Sequence, residues 1–406
     1  MVKKIIIFIA TTILCVLLSG CWDSRESERL GLITVMGIDS TKDGQIKVVT
    51  EELISTKQNS VGEGSNSSNK MPAKAHEAIA PTISEAMEKI SGLNQHINYL
   101  SHTRAIILSE EFVSTKGIDI FIDYFERNPR IRRNTWLLIA KKNQFNKVLS
   151  TAINIEPGTE TGKLINGILE NKLRNSYLTA NTLGDFLNLL WGTGSDPYTS
   201  GISHLEITTG GSEVENQYQK ANDTYNLKIE NTAVFKKGKL VGWMDNDESR
   251  GLLFTKGDIQ GGNISVQYHK KDISLQIIKM NSKIKPVLSN GKMQINIKID
   301  ILSNIAESQA YLDYEESEVI KIIQNLQAKE IKKLINLAFN KSKELNSDVF
   351  EFGNYFYGDY PDYFKKIQRK NYEYLKHIKL NIDVKSTINQ IGLIKEKQNT
   401  NIEYRK

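Results

Sequence analysis

Only two cysteines occur in the 406 residues of this chain, and both lie within its first 21 positions. Cys15 sits in an apolar run from Ile5 to Leu18 that Lys3 and Lys4 precede, and Cys21 follows the small residues Ser19 and Gly20. A positive start, a short apolar stretch and small residues before a cleavage point form the order of a secretory signal peptide, here residues 1–20. A bilayer-spanning helix needs about 20 apolar residues, so this run is too short to persist as one. Its removal leaves 386 residues with a single cysteine. An exported chain of this kind has no intramolecular disulfide, whatever the redox state around it, and packed cores must supply its stability. The length suffices for two or three such cores.

Leu18-Ser19-Gly20-Cys21 resembles a bacterial lipobox, in which cleavage falls between Gly20 and Cys21 and the cysteine is diacylated as the new N-terminus. Cys21 is therefore the expected lipidation site; an ordinary secreted protein with a chance cysteine is the competing reading. Two acyl chains hold a protein stably on a membrane where one binds only marginally. Trp22 to Arg29 reads as a polar tether of roughly 25 Å when fully extended, at about 3.3 Å per residue, within an anchoring segment 21–30. Loss of Lys3 and Lys4 takes Lys+Arg from 53 to 51 against 47 acids, a formal charge of +4. So weak a balance suits an anionic membrane surface or wall polymer. The basic residues are scattered, with small clusters at Arg130, Arg132, Arg133 and at Lys141, Lys142, and read as solvated surface. Nucleic acid is not an expected partner, since no helix carries a basic face with interleaved aromatics.

Along the chain the pattern predicts an α+β protein of two to three modules, each a mostly antiparallel or mixed sheet with packed helices. In an N-terminal domain, 31–195, strands are expected at 32–38 and 46–54 around the turn Lys42-Asp43-Gly44, and again at 104–108 and 135–140. Helices are expected through Ile83, Ala86, Met87 and Ile90 after Pro81-Thr82, and at 118–125, 145–149, 162–173 and 183–191. The Gly-, Ser-, Thr- and Asn-rich stretch 192–221 reads as a junction. A strand-rich middle domain, 196–305, follows, with a hairpin about Lys236-Lys237-Gly238-Lys239, a short helix at 247–254 and strands at 264–268, 273–284 and 293–302. The C-terminal α+β domain, 306–406, opens with the longest element, a helix from about Glu315 to Leu345. Val319, Ile322, Ile323, Leu326, Ile331, Leu334, Ile335, Ala338 and Leu345 give that helix an apolar face near the 3.6 period, and it should pack across an antiparallel sheet. A last helix at 364–374 and a strand at 378–384 complete the expectation.

Chemistry-bearing motifs are sparse. There is no phosphate-binding glycine loop, nucleophile elbow, His-Glu-x-x-His pattern or cysteine pair for zinc. The six histidines lack metal-ligand spacing; His102, ahead of a strand, is the most notable and reads best as structural. Asp245, Asp247 and Glu248 could do acid–base work in a wall hydrolase, but the simpler reading has Asp247 capping the next helix with Glu248 in its first turn. Glu315, Glu316 and Glu318 are likewise placed at a helix N-terminus. Aromatics crowd between Tyr355 and Tyr374, either as a partner surface or as a cover over a sheet. No catalytic residue, metal or cofactor is expected.

Several segments, taken in order, resemble the Ger(x)C family, the C-subunit lipoproteins of spore nutrient-germinant receptors. They are Gly20-Cys21-Trp22-Asp23 with Arg25-Glu26 and Gly37-Ile38-Asp39; Ser101-His102-Thr103-Arg104 with Ile106-Ile107-Leu108; Arg127; and Ala233-Val234-Phe235 to Trp243 with Gly251-Leu252 and Gly261-Gly262. Ser347-Asp348-Val349-Phe350 with Gly353 and Pro361 completes the series. Two departures stand out: Tyr372 holds the place of a second tryptophan, and Glu351-Phe352-Gly353 replaces a more common Gly-Phe-Gly. The resemblance implies a non-enzymatic, lipid-anchored protein on the outer face of the spore inner membrane. Its partners would be integral-membrane receptor subunits of the A and B types, and its fold three consecutive α+β modules. Direct nutrient binding stays open. A solute-binding lipoprotein of a transporter and a wall-active hydrolase are the alternatives.

Overall fold

The computed structural model describes residues 3–5, 30–54, 73–154, 161–205, 227–310, 312–314, 316–368 and 374–389. Its strands, in chain order, are β1 (Leu30–Ser40), β2 (Ile46–Ile54), β3 (Ala73–Ala80), β4 (Ile97–Tyr99), β5 (Ala105–Ser109), β6 (Trp136–Ala140), β7 (Asn181–Thr182), β8 (Tyr198–His204), β9 (Leu227–Lys236), β10 (Lys239–Met244), β11 (Asn263–Tyr268), β12 (Lys271–Ser289), β13 (Lys292–Ser308) and β14 (Lys379–Ile388). The helices are α1 (Ile83–Leu93), α2 (Glu110–Thr115), α3 (Asp119–Arg127), α4 (Phe145–Asn154), α5 (Thr161–Glu170), α6 (Leu183–Trp191), α7 (Asn246–Lys256), α8 (Ser317–Leu345), α9 (Phe352–Asp359), α10 (Pro361–Gln368) and α11 (Tyr374–His377).

These strands form two mixed sheets, and the α+β class expected from the pattern is what the chain adopts. The first runs β10-β9-β8-β6-β5-β1-β2-β3, with β4 beside the start of β1 and β7 beside β6. β1, β5 and β6 are parallel neighbours, and β1 lies inside the sheet between β5 and β2. A central strand covered on both faces should read as a continuous apolar run. Residues 33–38 are accordingly all buried. Helices α1, α2, α3 and α6 cover one face through Ile90, Phe112, Phe121 and Phe186. Helices α4 and α5 cover the other through Val148, Ile165 and Leu169.

The second sheet runs β11-β12-β13-β14, with β14 parallel to β13. β12 and β13 form one long hairpin, of 19 and 17 residues, longer than the alternation in sequence indicated. Its turn is Asn290-Gly291, both with positive φ (49° and 71°), the preferred chemistry for a two-residue hairpin turn. Pro286 interrupts the strand pattern without breaking β12, because β11 pairs only as far as Gln276 and leaves the outer edge open there. Residues 196–305, read from sequence as one strand-rich stretch, serve both sheets: β8–β10 extend the first and β11–β13 build the second.

Helix α8 spans the second sheet as its apolar period requires, burying Ile323, Ile331, Leu334, Ile335 and Ala338. It also crosses α7 at close range. A Cβ on Gly251 would lie 2.0 Å from the Leu334 carbonyl oxygen, so the crossing demands glycine. Asn346, left-handed at φ 51°, ends the helix.

Candidate functional site: the junction between the sheets

A dense buried polar cluster lies where the two sheets meet. Asp196 sits just after α6 and ahead of β8, and Asp348 lies between α8 and α9; they are 2% and 0% exposed. The Asp196 N–H donates to the Asp348 carbonyl (2.9 Å), and the Asp348 N–H donates to Asp196 Oδ2 (2.8 Å). The Asp348 carboxyl in turn accepts from the N–H groups of Phe352 (3.1 Å) and Gly353 (2.7 Å) and from Tyr374 OH (2.8 Å). A second reciprocal pair joins Gly194 and Asn354: the Gly194 N–H donates to Asn354 Oδ1 (2.8 Å) and the Asn354 N–H to the Gly194 carbonyl (3.1 Å). Ser347 Oγ adds a bond to the Phe235 carbonyl (2.7 Å).

Backbones must nearly touch for this pattern to form. A Cβ on Gly194 would lie 2.4 Å from the Gly353 carbonyl carbon, and one on Gly353 would lie 2.6 Å from the Gly194 Cα. Burial pushes the Asp196 carboxyl up to about 6 and that of Asp348 up to about 7, against the pull of the hydrogen bonds each accepts. Each keeps those donors satisfied, which a buried polar cluster must do to be stable.

Beside this clasp opens a cleft of about 450 Å³, walled by Asn181 of β7, Asp185 of α6 and Tyr198 of β8 on one side and by Lys256 and Asp258 at the end of α7 with Glu351 and Tyr355 at α9 on the other. Lys256, at the end of α7, pairs with Glu351 and lies 5.3 Å from the Tyr198 ring centroid. Burial opposes its charge, but Tyr198 and the carboxylates of Glu351 and Asp258 outweigh that, so its pKa is raised. Glu351 itself is left-handed, at φ 62°. Glycine occupies that region at no steric cost. The more common Gly-Phe-Gly noted above thus has a backbone reason, and the glutamate here stands where its side chain reaches Lys256.

Residues singled out in the sequence fall elsewhere. Gly20, Cys21, Glu315 and Tyr372 lie outside the described residues. His102 is exposed on a one-turn helix at Leu100–His102, 5.5 Å from the Tyr99 ring. The cap of α7 is Asp245, not Asp247: its side chain accepts from the Glu248 N–H (2.8 Å) while Glu248 Oε2 accepts from the Asp245 N–H (2.9 Å). Asp247 belongs to the first turn. This reciprocal box, two residues earlier than expected, engages two of the three carboxylates considered for acid–base work, Asp245 and Glu248. Glu318 pairs with Lys321, and exposed Arg127 with Asp123. The aromatic segment divides: Phe356, Phe364 and Tyr374 are core, whereas Tyr355 and Tyr357 reach the surface. Among the described residues no group of three metal-ligating side chains comes together. The role of Asp196 was missed; its only local signal was a glycine-rich stretch, Gly192 to Gly194, ahead of an aspartate.

Comparison with known proteins places both halves. Residues 23–204 match the model of a spore germination protein N-terminal domain, and residues 230–392 that of the spore germination B3/GerAC-like C-terminal domain. Spore germination protein KC of Bacillus subtilis is 25% identical over 97% of each chain. Spore germination protein B3 of the same organism is 24% identical over 93% of this chain and 95% of its own. The crystal structure of the GerBC protein shares the fold at a TM-score of 0.51, with 19% identity, over 87% of this chain and 96% of that one.

Proposed function

The chain belongs to the Ger(x)C family of spore germination proteins, and from that premise we propose that it is the lipid-anchored C subunit of a spore nutrient-germinant receptor. In this reading signal peptidase cuts between Gly20 and Cys21, and the diacylated Cys21 holds the protein on the outer face of the spore inner membrane. There it works through contacts with integral-membrane subunits of the A and B types, and germination in response to nutrients depends on it. The observation that carries the proposal is the match of both halves of the chain to germination domains, joined by one buried polar clasp. A clasped pair of modules suits a part that passes a mechanical or conformational signal between partners. The lipobox adds the anchor, and among the described residues no helix is long and apolar enough to cross a membrane. The family is one of receptor subunits and not a known enzyme family.

Spores carrying Cys21→Ala in place of the native gene, beside a gene deletion, test this reading. Dipicolinic acid release after nutrient addition should be lost in the deletion and strongly reduced in Cys21→Ala, with the variant shifted from the membrane to the soluble fraction. Wild-type release from a soluble, unlipidated protein would refute the anchored role. Normal release from the deletion strain, with no second receptor for the same nutrient, would refute the receptor assignment.

A further inference from the structure

The first sheet has one end that the rest of the fold leaves conspicuously apolar and basic. Leu30 opens β1 in parallel register with Ile97 of β4, so the chain from Cys21 enters the sheet there. Two large apolar side chains stand exposed at this corner: Leu93, 66% exposed, and Ile97, 43%. Both are held outward by packing. Buried Asn98 donates through Nδ2 to Ser91 Oγ (2.9 Å) and accepts from Asn94 Nδ2 (2.9 Å), fastening the end of α1 to β4. On the other side the Glu52 carboxylate, 1% exposed, lies 3.0 Å from His96 Nδ1 and 2.8 Å from His76 Nε2. It also fills the space over Gly31, where a Cβ would meet its Oε1 at 2.1 Å.

Basic residues continue along the same end of the sheet. Arg104 leads into β5, and the loop carrying Arg130, Arg132 and Arg133 leads into β6 beside it, with Thr135 Oγ1 donating to the Thr103 carbonyl (2.9 Å). Arg133 is engaged by Glu126 and Arg127 by Asp123, while Arg130 and Arg132 are exposed. Lys74, also exposed, starts β3 opposite Glu52.

We propose that this end of the first sheet lies on the anionic membrane surface, with Leu93 and Ile97 entering the headgroup region and Arg130 and Arg132 facing lipid phosphates. The proposal rests on the lipidation of Cys21. Eight residues separate Cys21 from Leu30, a reach of at most about 30 Å. The opposite end of β1, at Ser40, lies about 33 Å farther along the strand. The tether therefore selects which end of the sheet faces lipid, and the apolar corner and free arginines stand at that end. Interfacial binding needs this pairing of apolar side chains with cations near an anionic leaflet.

Single thiols test the geometry, because acylation occupies Cys21 and the mature chain has no other cysteine. Lipidated full-length Leu93→Cys and Ile97→Cys, with Lys42→Cys at the far turn as control, are labelled with nitrobenzoxadiazole and reconstituted in phosphatidylglycerol–phosphatidylcholine vesicles. All three should float with the vesicles. Labels at 93 and 97 should shift to the blue and be quenched by headgroup nitroxide lipid; the label at 42 should do neither. Arg130→Glu combined with Arg132→Glu, or vesicles of phosphatidylcholine alone, should reduce the shift at 97 while flotation persists. Labels at 93 and 97 as water-exposed as that at 42, on protein that floats, would overturn the docking and leave the anchor intact. Failure to float would overturn the anchor, and the docking with it.

Discussion

At the scale of single residues, Glu351 shows two effects in opposition. Its left-handed backbone is less favourable than glycine's by about 1 kcal/mol, while its carboxylate offsets the buried charge of Lys256. Glu351→Gly should therefore lower stability in the native background, where an amine loses its nearest partner. In a Lys256→Met background the same change should raise it. Urea unfolding of the four proteins reads out this cycle, and the same sign in both backgrounds would refute the coupling. The clasp aspartates give a pH signature. Their pKa values, about 6 and about 7, lie above the unfolded value of roughly 3.9, so between these limits the folded chain binds more protons than the unfolded one. The stability they contribute is thus fully present below pH of about 4 and is lost as pH rises through 6 and 7. Asp196→Asn keeps an oxygen to accept the Asp348 N–H and removes one titration, so its loss of stability between pH 5 and pH 8 should be shallower than wild type; an unchanged difference in urea midpoint would argue against it. Neither pair is visible in sequence as such. The capping chemistry before this helix was legible, but it was assigned to Asp247; the cap is Asp245, and the error of two residues reflects how little separates an N-cap from the first turn.

At the scale of elements, two helical glycines should respond in opposite directions. Gly251 lies where α7 crosses α8, against the Leu334 carbonyl, whereas a Cβ on Gly167 in α5 meets nothing within 4 Å. Gly251→Ala should destabilise by about 1–3 kcal/mol through forced separation of the helices. Gly167→Ala should stabilise by about 0.5–1 kcal/mol, because alanine has less backbone entropy to lose. Thermal melts separate the two, and equal shifts would contradict the crossing geometry. Most helices and strands were legible from period and turn chemistry, α8 above all, since 29 residues repeat one apolar face. The extent of β12 and β13 was not, because what prolongs a strand is its neighbour's hydrogen bonds rather than its own pattern.

At the scale of the whole molecule, the clasp makes the two sheets one mechanical body. Gly194→Val places side-chain carbons where the Gly353 backbone now lies. It should convert a single unfolding transition into two, followed by tryptophan fluorescence for the first sheet and by circular dichroism for both. One unchanged transition would show that the sheets are coupled elsewhere. In spores the same variant should impair nutrient response more than its loss of stability explains. The α+β class and the family likeness were both determined by the sequence itself, because each is written in short spans: a local period and an ordered set of words. The tertiary structure alone decided that residues 227–244 complete the first sheet, that Asp196 meets Asp348 across 152 positions, and that Glu351 needs a left-handed backbone. Each of these depends on which distant segment arrives as neighbour, and the free energy of that contact appears only when the chain has closed upon it.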